Sequence, residues 1–251
     1  MNQSKRIAQL LNKPVSLSQK FNEQTKAKKN NFGNQPPKQW PKSWKTVQYK
    51  AYARFPEINL PTPAKTFALQ NVLKQRQSSR QFGLKPISKT KLSQLLHYGA
   101  GLINPQNNEK RAYPSAGGRY PLEIYLLSLK TELPTGLYHY YIRNHSLEQL
   151  PMVEDLKIKD AFEENWVSRA SLLIIITAVF KRTTIKYGDR GYRYILMESG
   201  HLGQNLYLVG QSLNLGCCAI GGFVDNQINQ WLDLDGNQES AIYVLALGEQ
   251  P

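Results

Sequence analysis

The chain has 251 residues, 41% of them hydrophobic, which suits one large domain or two small ones and excludes a wholly disordered polypeptide. Its formal charge of +14 looks like a nucleic-acid signal until it is divided: residues 1–50 carry eleven Lys/Arg against one Glu, and residues 51–251 carry 21 against 17 Asp/Glu. The excess is a basic leader on a nearly balanced body, read here as a solvated arm or helix rather than a nucleic-acid or membrane contact.

Residues 1–48 form this arm and linker, rich in Lys, Gln and Asn, with a short helix or two before a Pro-bearing stretch. Met1 to Ser16 hold no long apolar core, so no secretory signal is visible there. The body is taken as residues 49–251. Tyr49 to Pro63 reads as an extended strap, and Thr66 to Lys74 as a helix. Ser88 is placed to cap a helix running to about Tyr98, with Leu92, Leu95 and Leu96 as its apolar face and Gly99 and Gly101 at its end. Strands follow over Leu122–Leu129 and Gly136–Tyr141, then a helical stretch over Val153–Glu164.

Leu172 to Phe180 is the longest apolar run, too short to span a bilayer and right for a buried strand. A charged loop around Lys186 leads into a long helix over residues 192–213, apolar on most sides and carrying Gly200, Gly203 and Gly210. Such a helix is expected to be buried, with its glycines admitting a second backbone. A short strand ends at Ile220-Gly221-Gly222-Phe223. Asp225 or Asn226 would cap a helix to Leu232, and Ser240–Leu247 closes the chain as a strand. Helices and strands mix without strict βαβ alternation, which predicts an α+β fold with a mostly antiparallel sheet. Cys217 and Cys218, the only cysteines, offer no disulfide framework and no metal spacing and read as inert apolar fillers. A cytoplasmic setting is expected.

Four stretches can carry chemistry. Arg76-x-Ser78-x-Arg80 sets two guanidinium forks and a hydroxyl along one short segment, a pattern suited to phosphate, though a solvated Arg pair looks the same. Pro114-Ser115-Ala116-Gly117-Gly118, flanked by Arg111 and Arg119, offers amides and no bulk, so a flat ligand can lie on its main chain; a plain turn is the alternative. Gly221 and Gly222 form a second place of close approach, or a bulge. Lys186-Tyr187-x-x-Arg190-x-x-Arg193 holds a candidate acid/base pair with cations beside it; a solvent-facing basic loop would read the same. His201 and Asn205, four apart on the long helix, suit a satisfied core histidine or an interface hydrogen bond. No metal-ligand set, Walker loop or G-x-G-x-x-G fingerprint is present.

In order and spacing these strings resemble the FMN-dependent nitroreductase family, in particular its SagB/McbC-type branch of azoline dehydrogenases. The resemblance covers roughly Tyr49 to Gly248. It rests on R-x-S-x-R at 76–80, P-S-A-G followed by Y-P at 114–121, G-L-Y-H-Y at 136–140 and K-Y-G-D-R-G-Y-R-Y at 186–194. It continues in G-H-L-G-Q-N-L-x-L at 200–208, L-N-L-G at 213–216 and I-G-G-F at 220–223. It implies an α/β sandwich, a domain-exchanged homodimer built around the long helix, and two FMN sites at the subunit interface. By the same resemblance, Arg76, Ser78 and Arg80 hold the phosphate and ribityl chain. Pro114, Ser115, Ala116 and Gly117 reach across from the partner subunit to flank the ring, and Gly221 and Gly222 approach it from the other side. Lys186 or Tyr187 is the implied base in the oxidation of an azoline to an azole on a modified peptide, with hydride passing to flavin N5. Other peptide-modifying enzymes are implied partners.

Two departures stand out: Gln77 replaces a second Arg, and the chain ends L-G-E-Q-P with no cation for the phosphate. Arg190 or Arg193 is the available substitute. Three readings remain open: azoline dehydrogenase, generic NAD(P)H-dependent nitro- or quinone reductase, and non-catalytic scaffold subunit of a peptide-modifying complex.

Overall fold

The computed structural model describes Phe21 and residues 49–62, 69–103, 109–152 and 156–251. All but Phe21 of the basic arm 1–48, the start of the helix expected at 66–74, and Val153–Asp155 lie outside the described residues. In chain order the elements are β1 (Glu57–Asn59), α1 (Leu69–Gln75), α2 (Lys89–Ala100), β2 (Leu122–Ser128), β3 (Gly136–Tyr141), β4 (Ser146–Leu150), α3 (Ile158–Ala161), β5 (Leu172–Val179), α4 (Lys181–Tyr187), α5 (Arg190–Ser212), β6 (Leu215–Ile220), α6 (Asp225–Trp231) and β7 (Glu239–Glu249). The strands form one seven-stranded sheet in the order β1-β4-β3-β2-β5-β7-β6. Every ladder within it is antiparallel. The α+β expectation holds.

β2 and β5 are buried along nearly their whole length, because apolar side chains leave both faces of these central strands and both faces are covered. On one face Ile124, Leu126, Ile174, Ile176 and Leu245 pack with Leu92, Leu95 and Leu96 of α2 and Ile195, Leu202 and Leu206 of α5. On the other, Tyr125, Leu127, Leu173, Ile175 and Val244 pack with Phe162, Ile228 and Trp231. Period-two alternation thus sends successive residues of one strand into different cores.

Ser88 caps α2 as expected, its hydroxyl accepting from the Lys91 amide at 3.2 Å. Asp225 does not cap α6: Val224 holds the cap position, and Asp225 sits in the first turn, where its charge favours the helix N-terminus. The helix expected over 153–164 is, in its described part, only the single turn α3, followed by a 3-10 turn at Asn165–Arg169. Two strands were not anticipated. β4, S-L-E-Q-L, pairs β3, and β1 turns the strap into an edge strand on β4.

α5 is buried along only part of its circumference. Ile195, Glu198, Ser199, Leu202, Gly203 and Leu206 face inward, while Leu196 and Met197 are 40% and 57% exposed. Its glycines do not admit a second helix within the chain. A Cβ on Gly203 would stand 2.6 Å from the Tyr243 ring of β7, whereas Gly200 has open space. Gly203→Ala is therefore expected to overpack the sheet–helix contact and cost about 1–3 kcal/mol, seen as a fall in Tm of roughly 2–10 °C. Gly200→Ala, with open space at the Cβ, is the control and should raise stability by up to about 1 kcal/mol.

The segment after α1 runs along β6, the outer strand. The Ser79 amide donates to the Cys217 carbonyl at 2.9 Å, and the Gly83 amide to the Glu249 carbonyl at 2.7 Å. No described helix is long and apolar enough to cross a membrane. Cys217 and Cys218 are buried, and burial pushes both thiols up, so they are inert as the sequence suggested.

Candidate active site

The expected site residues fall into two groups at opposite ends of α5. The first lies at its N-terminal end. Lys186 and Tyr187 occupy the last turn of α4, a short helix where the sequence suggested a loop. Gly117 is in the left-handed region at φ 63° and lies directly on this pair. A Cβ there would stand 2.5 Å from the Tyr187 hydroxyl and 2.7 Å from Lys186 Nζ. The conformation favours glycine, and a side chain here would push the ends of Lys186 and Tyr187 aside. The Tyr187 ring meets Tyr194 of α5 edge-on at 5.0 Å between centroids. Arg119 Nε donates to the Arg182 carbonyl at 2.8 Å, joining the loop to α4.

The Pro114–Gly117 loop is fixed from beneath. The Ser115 hydroxyl donates to Glu198 Oε2 at 2.6 Å and accepts from the Tyr120 amide at 2.8 Å. Pro114, Ser115, Ala116, Tyr194, Met197, Glu198 and His201 line a mostly apolar hollow of about 260 Å³. His201 is exposed on this hollow, not a core histidine. Asn205 is structural: its amide donates to the carbonyls of Gly99 and Ala112 at 3.2 and 2.9 Å.

The second group lies at the C-terminal end. Ser78 Oγ is 3.0 Å from the Tyr207 hydroxyl, which accepts from the Ala219 amide at 2.7 Å. The Arg76 guanidinium stands 5.4 Å from the Tyr207 ring centroid, and Arg80 stands 5.9 Å from that of Trp166. Tyr207 thus ties the R-x-S-x-R segment to β6, and burial pushes its phenol pKa up, which keeps it a neutral hydrogen-bonding post. Gln77, Ser78, Ser79, Arg80 and Gln81 line a polar hollow of about 390 Å³ with Gln250 and Pro251. Gly221 and Gly222, past the end of β6, are exposed, and among the described residues nothing beyond their chain neighbours lies within 4 Å of where a Cβ would sit.

Glu198 and Tyr207 are nine residues apart, so the two groups are separated by about 14 Å along the helix axis. Arg190 and Arg193 belong to the first group: Arg190 Nε donates to the Tyr194 hydroxyl at 3.1 Å, and Arg193 stands 5.4 Å from the Phe21 ring. Within one chain Arg190 is about 26 Å along the axis from Tyr207, far from Arg76 and Arg80.

Sequence reasoning missed Tyr207, Glu198 and a buried charged chain behind the first group. Glu123, His139 and Glu148 all point from the sheet into its second core. His139 Nδ1 lies 2.8 Å from Glu148 and Nε2 lies 3.2 Å from Glu123. Arg182 of α4, four residues before Lys186, pairs with Glu123 through NH1. The strap joins in, with the Tyr52 amide donating to Glu148 at 2.7 Å and Lys50 pairing with Glu239 at 2.6 Å. The available signal was a Glu or His in the middle of an otherwise apolar strand, as in L-E-I-Y and L-Y-H-Y.

The fold and the matched sequence define the class: the chain belongs to the nitroreductase family, whose model matches residues 73–249. It is 36% identical over 182 residues to MJ1384 of Methanocaldococcus jannaschii, a protein carrying a nitroreductase name, covering 71% of this chain and 90% of that one. It is 28% identical over 148 residues to the microcin B17-processing protein McbC of Escherichia coli, covering 56% of this chain and 54% of that protein. The trifolitoxin-processing protein TfxB of Rhizobium leguminosarum matches at 28% over 163 residues, 59% of this chain and 43% of TfxB. The chain therefore spans about half the length of these two peptide-processing relatives. Among solved structures, a nitroreductase-type protein of Ralstonia eutropha superposes with a TM-score of 0.69 at 24% identity, over 82% of this chain and 95% of that one. A chain of the E. coli microcin synthetase McbBCD complex superposes at 0.59 and 23% identity, over 76% of this chain and 75% of that one.

Proposed function

We propose that the chain is an FMN-dependent dehydrogenase that oxidises azoline rings in modified peptides to azoles. The observation that carries this reading is the meeting of Lys186 Nζ and the Tyr187 hydroxyl at the bare main chain of Gly117. Two side chains able to handle protons thus stand against a loop suited to a flat ring, which supports the reading. The likeness to McbC and TfxB supports the peptide substrate and partners of the peptide-modifying kind.

The residues present fit FMN. Arg76, Ser78 and Arg80 offer a phosphate and ribityl binding edge. Gly221 and Gly222 leave their main chain open to a flat ring, and Pro114, Ser115, Ala116 and Gly117 supply a second bare surface. The two groups lie about 14 Å apart on one helix, so a homodimer that sets the second group of one chain against the first group of its partner completes the site. The exposed Leu196 and Met197 on α5 suit that contact. Arg190 and Arg193 then reach a phosphate only if the partner brings it to them.

FMN, when bound, supplies the two-electron acceptor. The protein's part is to hold the ring, seat the peptide over Gly117, and take the carbon-bound proton on Lys186 or Tyr187. Anaerobic mixing of flavin-loaded protein with an azoline peptide is expected to bleach the flavin and leave the peptide lighter by two hydrogens. An unchanged spectrum with several such peptides would overturn the reading. A second reading, a general NAD(P)H-dependent nitro- or quinone reductase, is favoured by the coverage of MJ1384. Fast bleaching by NADPH, indifferent to Lys186→Ala, would select it.

A further inference from the structure

Glu198 is a carboxyl group with no role in the scheme above, and its surroundings are unusual. Its residue is 2% exposed, yet it lines the hollow beside the Pro114–Gly117 loop. Oε2 accepts from Ser115, whereas Oε1 is buried with no hydrogen-bond partner among the described residues. Ser115 in turn receives the Tyr120 amide, so one hydroxyl links the carboxyl to both ends of the loop. We propose that Glu198 is a positioning residue for the candidate site: through Ser115 it sets the stance of the loop, and so of the Gly117 main chain that lies against Lys186 and Tyr187. This rests on the flavin reading only for its consequence in ligand binding.

Buried charge is what couples Glu198 to the loop. A neutral carboxyl can accept from Ser115 without placing a charge in the protein interior. An ionised one would bury its charge with Oε1 unpartnered, a cost that Ser115, Arg111 and the Ala116 amide offset only in part and that moving the loop or admitting water would relieve. Burial pushes the Glu198 pKa up to about 7, against the pull of Ser115, Arg111 and the Ala116 amide. The charged and titratable groups around it are few. Arg111 and Tyr113 face it from the segment before the loop, Tyr194 and His201 flank it on α5, and Lys186 and Tyr187 lie beyond Gly117 on α4. None of these donates to Oε1. The switch from neutral to ionised therefore falls in the range where the loop would work, and the loop loosens as pH rises.

Hydrogen exchange at the amides of residues 115–118, in full-length protein without flavin, tests this directly. After correction for intrinsic rates, wild-type protection is expected to fall about five- to tenfold from about pH 6 to about pH 8. In Glu198→Gln, which keeps the acceptor for Ser115 and removes the titration, it is expected to stay within about twofold. Ser115→Ala should lower protection at both pH values and erase the dependence, and it serves if Glu198→Gln fails to fold. Quenching of FMN fluorescence gives a second readout: the wild-type Kd should rise with pH in step with the exchange, and that of Glu198→Gln should not. Equal pH dependence in wild type and Glu198→Gln, or a wild-type protection that does not change between the two pH values, overturns the proposal. Wild-type protein that takes up no FMN overturns the flavin reading alone, since the exchange measurement still judges Glu198.

Discussion

Lys186→Ala is expected to slow single-turnover bleaching of the flavin by an azoline peptide by about 10²–10⁴-fold, the range that loss of a general base commonly produces. FMN affinity should change little, because the phosphate and ribityl chain are assigned to Arg76, Ser78 and Arg80 rather than to Lys186. The geometry turns on Gly117. Its positive φ and its missing side chain bring Lys186 Nζ and the Tyr187 hydroxyl against the loop main chain. Lys186 Nζ also stands 5.0 Å from the Tyr187 ring centroid, so the two groups act in one small volume. Tyr187→Phe removes the hydroxyl while keeping the ring against Tyr194, and separates the two roles. If Lys186→Ala is slow and Tyr187→Phe is near wild type, Lys186 takes the proton; the reverse assigns it to Tyr187. If both bleach at the wild-type rate, neither is the base. A deuterium label on the carbon that loses the proton should slow the wild-type step, which checks that bond breaking is being timed.

The second large effect lies behind the site. Glu123→Gln is expected to lower the unfolding free energy by about 3–5 kcal/mol, the usual consequence of breaking a buried ion pair by removing one partner. Glu123 is 2% exposed and serves both Arg182 and His139, themselves 8% and 0% exposed. Urea unfolding followed by tryptophan fluorescence would measure it, and a loss below about 1 kcal/mol would show that water or rearrangement satisfies the orphaned partners. The pH dependence has two sides. Burial works against the Glu123 charge, but the His139 hydrogen bond and the Arg182 charge outweigh it and hold the carboxyl down to about 2. Its contribution is therefore present above the ordinary carboxylate range and is lost as pH falls toward 2. Burial likewise opposes the His139 charge, but Glu123 and Glu148 raise its pKa above the ordinary value. That contribution is complete below the ordinary histidine range and fades as pH rises through the raised value. Stability should be greatest between these limits. Arg182 is one turn from Lys186 on α4, so loosening the pair should also blunt flavin bleaching before the protein unfolds.

The frame was legible where one physical signal dominated. The apolar run 172–180 became the central strand β5, Ser88 capped α2, and G-L-Y-H-Y became β3 with its boundaries unchanged. The antiparallel sheet followed from the order of elements. Reading failed where tertiary context set the outcome. β4 has a Glu and a Gln in five residues, and only its pairing with β3 makes it a strand. Gly203 suggested room for a helix, but a tyrosine from β7 fills the space. The charged loop before the long helix proved to be α4, whose seven residues are held by contacts across the fold rather than by their own propensity.

In the site, motif positions were visible, but their grouping was not. Nothing local in Lys186-Tyr187 says that it meets Gly117, some 70 residues earlier in the chain. Nor could sequence show that R-x-S-x-R and K-Y sit at opposite ends of one helix. Glu198 and Tyr207 escaped notice because they stand among other polar residues of α5, and only the fold reveals what each supports.

The strip of chain around Ser79 has a second consequence. β6 is the outer strand of the sheet, and an unpaired outer strand is a template on which other chains can add and aggregate. The Ser79 amide occupies one rung of that template, and a Cβ on the facing Gly216 would stand 3.0 Å from the Ser79 hydroxyl. The segment proposed to hold the phosphate is thus also a guard over this margin of the sheet. A ligand that braces Arg76 and Ser78 would keep that margin shut, tying the solubility of the protein to the occupancy of its site.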